Sequence, residues 1–131
     1  MSKEKNGLRA GAEISHYQVI RELGAGSFGI TYRARDLERG FDVAIKEYLP
    51  REIARRSDTD DVVLKSAEQD RFYQWGMDRF VTEAQILAQF RHPNIVKVLN
   101  YFHANQTAYF VMEYQAGLDL DRVIKKLDQP M

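Results

Sequence analysis

The sequence predicts an α+β domain: a five-stranded antiparallel, twisted sheet with one main helix, followed by a short C-terminal helix. Five segments rich in β-branched and aromatic residues are separated by turn signals, and one further segment has helical apolar spacing. The turn signals are a glycine-rich stretch at 24–29, Gly40 and Asn105. Because these connections are short, neighbouring strands are expected to pair antiparallel.

The composition of the chain argues against several kinds of partner and site. The 131 residues suffice for one core, and 44% hydrophobic with 29% charged residues is ordinary for a soluble globular chain. The net charge is zero, so no nucleic-acid partner is expected. The chain has no cysteine, which excludes disulfides and zinc–sulfur sites, and its three histidines lack ligand spacing, so no metal site is predicted. Without a signal peptide or an apolar run of roughly 18 residues, no membrane segment and a cytoplasmic location are expected.

The elements follow in order along the chain. Residues 1–13 are polar and are expected to form a flexible tail. The helix is predicted at 77–90, where Phe80, Ala84 and Leu87 form an apolar stripe at i, i+4 and i+7, and the proline at position 93 would stop it. The predicted strands cover 17–23, 30–34, 41–47, 95–102 and 108–114, and the short amphipathic helix covers 118–127.

Segment 49–76 is long for a connection inside a compact domain, and such loops are usually functional or disordered. Residues 51–56 are basic and could form one turn, while 62–64 could form a short strand beyond an acidic loop. Trp75, the only tryptophan, is expected to pack. A surface insertion without a role is the preferred interpretation of this segment.

A phosphate site is predicted at the glycine-rich stretch. Gly24, Gly26 and Gly29 have G-x-G-x-x-G spacing, so the backbone N–H groups can approach phosphate oxygens, and Lys46 adds a point charge one strand away. Dinucleotide-binding folds share the spacing but need a helix directly after the glycines, whereas residues 30–32 favour a strand. A glycine-rich turn without a ligand is the alternative.

Strand alternation and helix spacing pair Lys46 with a carboxylate. Ala44 and Lys46 share one face of their strand, so a flat apolar ligand could lie on the alanine while the lysine reaches its charged end. Glu83 lies inside the apolar stripe of the helix, where a carboxylate is costly unless it is paired. Lys46 is therefore the predicted partner of Glu83. The alternative is that Glu83 reaches water at the margin of the stripe.

Taken together, the motifs resemble the N-terminal lobe of a eukaryotic-type (Hanks-type) protein kinase. G-A-G-S-F-G at 24–29 resembles the family's glycine-rich loop, and V-A-I-K at 43–46 is identical to the motif of its lysine strand. Glu83 falls where the family's helix glutamate is expected. The resemblance extends over residues 17–127.

Other stretches add to this resemblance. H-P-N-I-V at 92–96 is typical of the segment after the kinase helix, and V-M-E-Y at 111–114 resembles the strand that leads into the hinge. K-E-Y-L-P at 46–50, followed by W-G-M-D-R-F at 75–80, is similar to a group of bacterial serine/threonine kinases. Several motifs in the right order are more specific than any one of them.

The resemblance implies an ATP site and assigns roles within it. Lys46 would hold the α- and β-phosphates, supported by Glu83, and these two would be the catalytic residues of the lobe. Adenine would lie between Ala44 and the loop, beneath Leu23, with Met112 as the gatekeeper behind it. The hinge would offer backbone groups of Glu113 and Gln115, and Asp119 would approach the ribose. The residues implied to bind ATP are Leu23, Gly24, Ala25, Gly26, Ser27, Phe28, Gly29, Thr31, Ala44, Lys46, Met112, Glu113, Gln115 and Asp119.

Two departures from the family pattern are visible. Thr31 stands where the family usually has valine over the adenine, so a weaker apolar contact is expected. The motifs H-R-D-x-x-x-x-N, D-F-G and A-P-E do not occur in the sequence, although they supply the base and the Mg²⁺ ligands. Residues 14–131 are therefore interpreted as a kinase N-lobe and hinge, truncated before the catalytic loop. This chain is predicted to be inactive alone and to use Mg²⁺ only with the missing lobe.

Three interpretations of function stay open. The first is the ATP-binding lobe of a bacterial serine/threonine kinase that phosphorylates proteins in its complete form. The second is a non-catalytic, truncated kinase-like module that binds a protein partner through its sheet or helix. Self-association is also expected through the exposed lobe interface, formed by Leu118, Leu120, Val123, Ile124 and the rear of the main helix. The third is an unrelated nucleotide-binding β-domain. A longer reading frame carrying H-R-D would favour the first, and a stop codon after Met131 the second.

Overall fold

The structure, a computed structural model, describes residues 6–89 and 97–114. Within these ranges the chain forms strands and one long helix, with a short 3-10 turn before the helix. The elements are β1 (Glu13–Ile14), β2 (Tyr17–Ala25), β3 (Gly29–Asp36), β4 (Asp42–Tyr48), β5 (Ala54–Arg56), β6 (Val62–Leu64), the 3-10 turn Ala67–Gln69, α1 (Asp70–Gln89), β7 (Val98–Ala104) and β8 (Thr107–Glu113).

The main sheet has the strand order β1-β2-β3-β4-β8-β7, and every neighbouring pair is antiparallel. The predicted fold class, an antiparallel sheet with one main helix, is confirmed. The turn after β7 places Asn105 and Gln106 at φ 52° and 62°, as a two-residue hairpin with the type I′ twist requires. The sheet has one more strand than the five predicted, because β1 is only two residues long and leaves no periodic signal.

Helix α1 begins seven residues before the predicted start. Its buried residues are Tyr73, Met77, Phe80 and Ala84, which continue the 3.6-residue stripe toward the N-terminus. Glycine disfavours a helix, yet α1 runs through Gly76. A glycine is needed at this position because the Tyr48 hydroxyl occupies the space where a Cβ would stand. A local helix breaker is thus tolerated for a tertiary reason.

The helix packs on one face of the sheet through aromatic side chains. The ring of Phe80 lies 4.9 Å from that of Phe110 on β8 and 5.6 Å from that of Tyr48 on β4, measured between centroids. Since α1 ends at Gln89, the predicted stop at position 93 lies outside the described residues. The predicted C-terminal helix at 118–127 also lies outside them.

Residues 6–12 cover the opposite face of the sheet, which differs from the flexible tail expected from their polar sequence. Leu8 and Ala12 belong to the buried core. The Leu8 N–H donates to the hydroxyl of Tyr32 on β3 at 3.0 Å. One leucine and two alanines in a stretch of polar residues and glycines are too few apolar residues for a periodic signal, so sequence patterning could not reveal this packing.

The segment after β4 also reaches that opposite face. Residues 51–53 form a turn and then enter β5, which pairs antiparallel with β6, so the single turn expected for 51–56 is wrong while the strand at 62–64 is confirmed. Ala54 and Val62 are buried, and the Val62 N–H donates to the carbonyl oxygen of Asn105 at 2.8 Å. The hairpin is therefore part of the packed structure and not an appended surface loop.

Candidate functional site

The sheet register gathers the predicted nucleotide residues on one face. Lys46 on β4 lies opposite Thr31 on β3 and opposite Phe110 on β8, and Ala44 lies opposite Met112. Directly opposed residues of an antiparallel pair point to the same side of the sheet. Because Phe110 contacts α1, all of these side chains lie on the face that carries the helix.

The end of this face where the sequence predicts adenine is apolar and buried. Ala44 is fully buried, Met112 is 2% exposed and Thr31 is 3% exposed, while Leu23 is half-buried. Glu113 follows at the end of β8. The two remaining predicted contacts, Gln115 and Asp119, lie outside the described residues.

The glycine loop joins β2 to β3 as a tight hairpin. The Gly26 N–H donates to the carbonyl oxygen of Gly29 at 2.8 Å. A Cβ at Gly29 would overlap the backbone carbonyl oxygen of Glu47, so close approach of β3 to β4 requires a glycine there. No atom lies within 4 Å of a Cβ built at Gly26, which therefore borders open space.

The tip of the loop is attached to the chain that follows β4. The Leu49 N–H donates to the carbonyl oxygen of Phe28 at 2.9 Å, and the Arg51 N–H donates to that of Ser27 at 3.0 Å. The Phe28 side chain itself is 72% exposed. The loop backbone is therefore held on one side while its apolar side chain points into solvent.

Lys46 and Glu83 line the same cavity, of about 970 Å³, between the glycine loop, α1 and the segment after β4. The lysine lies beside the ring of Phe110, with its Nζ 5.8 Å from the ring centroid. The structure thus places both residues on one face and at one opening, as the sequence predicted; their direct pairing stays a prediction. The lining residues are Ser27, Phe28, Lys46, Tyr48, Pro50, Glu52, Ile53, Gln69, Phe72, Trp75, Gly76, Arg79, Phe80 and Glu83.

Trp75 is not packed, and that expectation was wrong. Its side chain is 60% exposed and borders the cavity, with the guanidinium carbon of Arg79 5.0 Å from the ring centroid. The reason is helical phase: Trp75 lies midway between Tyr73 and Met77, both of which face the sheet. Phe72, which also borders the cavity, is 65% exposed.

Sequence reasoning missed a buried ionic cluster directly behind Lys46. Glu47 is fully buried on the face opposite the cavity, and its carboxylate accepts hydrogen bonds from the hydroxyls of Tyr32 (2.7 Å) and Tyr109 (2.5 Å). The Arg56 guanidinium forms an ion pair with it. A signal was available: a carboxylate at a buried strand position is costly unless paired, and basic residues follow at 51–56.

The cluster shifts the pKa of both tyrosines and of the arginine. Burial, reinforced by the Glu47 charge, raises the pKa of Tyr32 and the pKa of Tyr109 above the ordinary value of tyrosine. Burial by itself would lower the pKa of Arg56, but attraction and hydrogen bonding to Glu47 outweigh it, so the pKa is raised. The hydroxyls thus stay neutral donors and the guanidinium stays charged.

Across residues 6–89 and 97–114, no group of three or more histidine, cysteine, aspartate or glutamate side chains could hold a metal ion. In the same part of the chain, no helix is long and apolar enough to cross a membrane.

Comparison with known proteins agrees with the geometry. Residues 17–130 match the family described as "Protein kinase domain". The chain therefore belongs to the protein kinase domain family, and the predicted resemblance is confirmed. A solved structure named "PpkA-294 apo form" is 33% identical with a TM-score of 0.85; the match covers 93% of this chain and 43% of that one.

Curated relatives carry protein-kinase names, one of them a serine/threonine-kinase name. "G2-specific protein kinase nimA" of Emericella nidulans is 33% identical over 118 residues, which cover 88% of this chain and 14% of that protein. "Serine/threonine-protein kinase PLK4" of Danio rerio is 28% identical over 121 residues, which cover 92% of this chain and 11% of that protein. The chain thus spans a small part of the length of the curated relatives it matches.

Proposed function

We propose that this chain is the ATP-binding lobe of a cytoplasmic bacterial serine/threonine protein kinase, which in complete form transfers a phosphoryl group from ATP to protein serine or threonine. One observation carries the proposal. Lys46 and Glu83 line a single cavity with the tip of the glycine loop, on the sheet face that also holds Ala44 and Met112. A cation, a backbone hairpin and an apolar floor are what a nucleotide requires at successive points along its length.

The apolar end suits the base. Ala44 and Met112 lie opposite each other and are buried. Because both side chains are apolar, a flat ring placed against the alanine would not strip water from a polar side chain. Thr31 offers a methyl group on the same face, with a smaller apolar contact than valine would give. Glu113 ends β8 beside this floor, where its backbone groups could meet the edge of the ring.

The charged end suits the phosphates. The Lys46 ammonium supplies a compact positive charge, and the glycine loop supplies backbone N–H groups close by. Glu83 would orient the lysine from the helix. Mg²⁺ would offset the phosphate charges in the complete enzyme, but no metal-binding cluster is present in the described ranges and D-F-G does not occur in the sequence. These 131 residues would thus bind ATP and orient its phosphates, and the transfer step would depend on motifs that they do not contain.

An NMR titration with Mg-ATP tests the proposal. We expect the amide signals of the loop 24–29 and of Ala44 to shift, with a dissociation constant no tighter than roughly millimolar, or about −4 kcal/mol. Lys46→Ala should weaken binding further. Arg35→Met removes an exposed ion pair elsewhere on β3 and is the control. Wild-type shifts that are absent, or that fall on other residues, would reject the nucleotide site.

A second candidate function is a partner-binding module. Phe28, Phe72 and Trp75 line the cavity and are 72%, 65% and 60% exposed, and clusters of exposed apolar side chains favour association. Sedimentation at several concentrations, with the double variant Phe72→Ser and Trp75→Ser for comparison, would reveal self-association through them. A protein that stays monomeric at all concentrations would rule out self-association. A catalytic loop in the same reading frame would favour the kinase function over a partner-binding module.

A further inference from the structure

Arg56 connects three parts of the chain. Its Nη2 pairs with the Glu47 carboxylate, and its Nη1 donates to the carbonyl oxygen of Asp60 at 2.8 Å in the turn between β5 and β6. Its Nε donates to the carbonyl oxygen of Asn6 at 2.9 Å, and its N–H to the Asn6 side-chain oxygen at 3.3 Å. A side chain only 6% exposed thus joins β4, the hairpin and residues 6–12.

The ion pair closes a ring of backbone. Glu47 and Arg56 are nine positions apart, and the chain between them turns through Pro50, whose carbonyl oxygen accepts the N–H groups of Ile53 and Ala54 at 3.0 and 2.9 Å. Leu49 and Arg51, the two residues that hold the glycine loop, lie within this ring. The loop is therefore attached to a segment whose two ends are fixed by a buried charge pair.

The ring also includes the strand residue next to Lys46. Alternation along β4 sends the Lys46 side chain to the cavity and the Glu47 side chain to the opposite face. On that opposite face three donors hold the carboxylate. The backbone carbonyl oxygen of Glu47 lies where a Cβ at Gly29 would stand, so the glycine loop packs directly on this residue. Fixing Glu47 thus fixes the strand position from which Lys46 extends.

We infer that Arg56 is a positioning residue. Together with Glu47 it forms a clasp, here the residues 47–56 closed by their ion pair on the sheet face opposite the cavity, and this clasp holds the glycine loop and Lys46. The clasp accounts for the first part of the long segment after β4, which leaves the strand, turns at Pro50 and returns to Glu47. Asn6 accepts two hydrogen bonds from Arg56, so residues 6–12 support the clasp as well. The inference of a nucleotide effect rests on the proposed function, but the structural effect does not.

Amide hydrogen exchange measures the structural effect directly. The Leu49 and Arg51 N–H groups report the attachment of the loop, and the Val111 N–H in β8, an inner strand of the sheet, reports general stability. In Arg56→Met we expect the first two amides to exchange roughly tenfold faster relative to Val111. Arg56→Lys keeps the charge but cannot reproduce the fork of donors, so it should give a smaller change of the same kind. Arg35→Met should leave the ratio unchanged.

The outcomes separate the clasp from ordinary stability. Equal acceleration at all three amides, or no acceleration, would mean that Arg56 is only a structural residue and would overturn the inference. If Arg56→Met does not fold, the Arg56→Lys ratio decides by the same criterion. Because these ratios need no nucleotide, they hold even if wild-type protein fails to bind Mg-ATP and the proposed function falls.

A second readout tests the link to the site. Where wild-type protein binds Mg-ATP, Arg56→Met should weaken binding at least threefold, which is about 0.7 kcal/mol, and Arg35→Met should not. Faster exchange at Leu49 and Arg51 with unchanged affinity would show that the clasp holds the loop without positioning the nucleotide, and would overturn that half of the inference.

Discussion

At the scale of single residues, the neighbours Lys46 and Glu47 have opposite surroundings. One lines the cavity, and the other is fully buried behind it with two tyrosine hydroxyls and an arginine. Burying a carboxylate costs several kcal/mol unless hydrogen bonds and an opposite charge replace its water. Period-2 alternation therefore lets one strand present a cation to the cavity and an anion to the interior.

Gly29 should be the least replaceable glycine of the loop. In Gly29→Ala the Cβ would overlap the Glu47 carbonyl oxygen, so β3 and β4 must separate locally, at a cost of about 1–3 kcal/mol in the free energy of unfolding. Gly26→Ala is the matched control and should stay within about 0.5 kcal/mol, since its Cβ meets open space. Urea unfolding measures both, and equal stability of the two variants would contradict the steric explanation.

Buried tyrosines should make the fold sensitive to alkali. Burial raises the pKa of Tyr48 to about 12 and raises the pKa of Tyr32 and of Tyr109 as well. An unfolded tyrosine loses its proton near pH ~10, while these stay protonated in the fold. Their contribution to stability is therefore complete below pH ~10 and is lost as the pH rises above it, because unfolding then releases protons.

Urea unfolding between pH ~8 and ~11, followed together with tyrosinate absorbance, measures this decline. Tyr48→Phe should make it shallower, and Tyr101→Phe, which removes an exposed hydroxyl on β7, is the control. A free energy of unfolding that stays level to pH ~11 would contradict the assignment of these hydroxyls as buried, neutral donors.

At the scale of elements, the position of α1 is set by aromatic contacts with the sheet. Tyr48 touches the helix at Phe80 and at Tyr73, with ring centroids 5.6 and 5.3 Å apart, and its hydroxyl donates to the Tyr73 carbonyl oxygen at 3.0 Å. Gly76 makes room for that hydroxyl. Since Glu83 lies on the same helix, the contact that seats the helix also determines where the glutamate stands.

Gly76→Ala should destabilise the protein although alanine favours helices by about 1 kcal/mol. The new Cβ would overlap the Tyr48 hydroxyl oxygen and lie 3.0 Å from its Cζ, so the helix must shift, at a net cost of about 1–2 kcal/mol. The double variant with Tyr48→Phe should recover part of this loss, and the double-mutant cycle measures the coupling. Thr82→Ala, exposed on the same helix, is the control. Two strictly additive effects would contradict the contact.

At the scale of the whole molecule, the sheet has a layer on each face. The helix and the cavity occupy one side, and residues 6–12 with the β5–β6 hairpin cover the other. The second layer gives the sheet a buried reverse side without help from another domain. The lobe can therefore be expected to fold as a unit, while chemistry depends on motifs that its sequence does not contain.

These 131 residues should show no phosphoryl transfer above background. They lack the H-R-D base and the D-F-G metal ligand, and the lysine and glutamate alone cannot position a nucleophile. Lys46→Ala should accordingly change nothing in an assay with radiolabelled ATP and a generic protein substrate. Phosphorylation by the wild-type chain that disappears in Lys46→Ala would contradict this expectation.

The sequence alone determined the antiparallel sheet, the central strands, the face shared by Ala44 and Lys46, and the placement of Glu83 on the helix near the cavity. Each of these follows from short-range information: turn residues, a period of 2 or 3.6, and motifs a few residues long. Each of these signals can be recognised in a short stretch of sequence, without knowing which distant residues it will contact. The strand limits could therefore be predicted to within a few residues.

Only the tertiary structure decided that α1 runs through Gly76, that Leu8 packs in the core and that Glu47 pairs with Arg56. These depend on which side chains meet across long sequence separations: Arg56 binds a backbone oxygen 50 positions away, and the Tyr109 hydroxyl reaches Glu47 from 62 positions away. The free energy of a buried charge is set by the partners that surround it in space, and no local period encodes those partners.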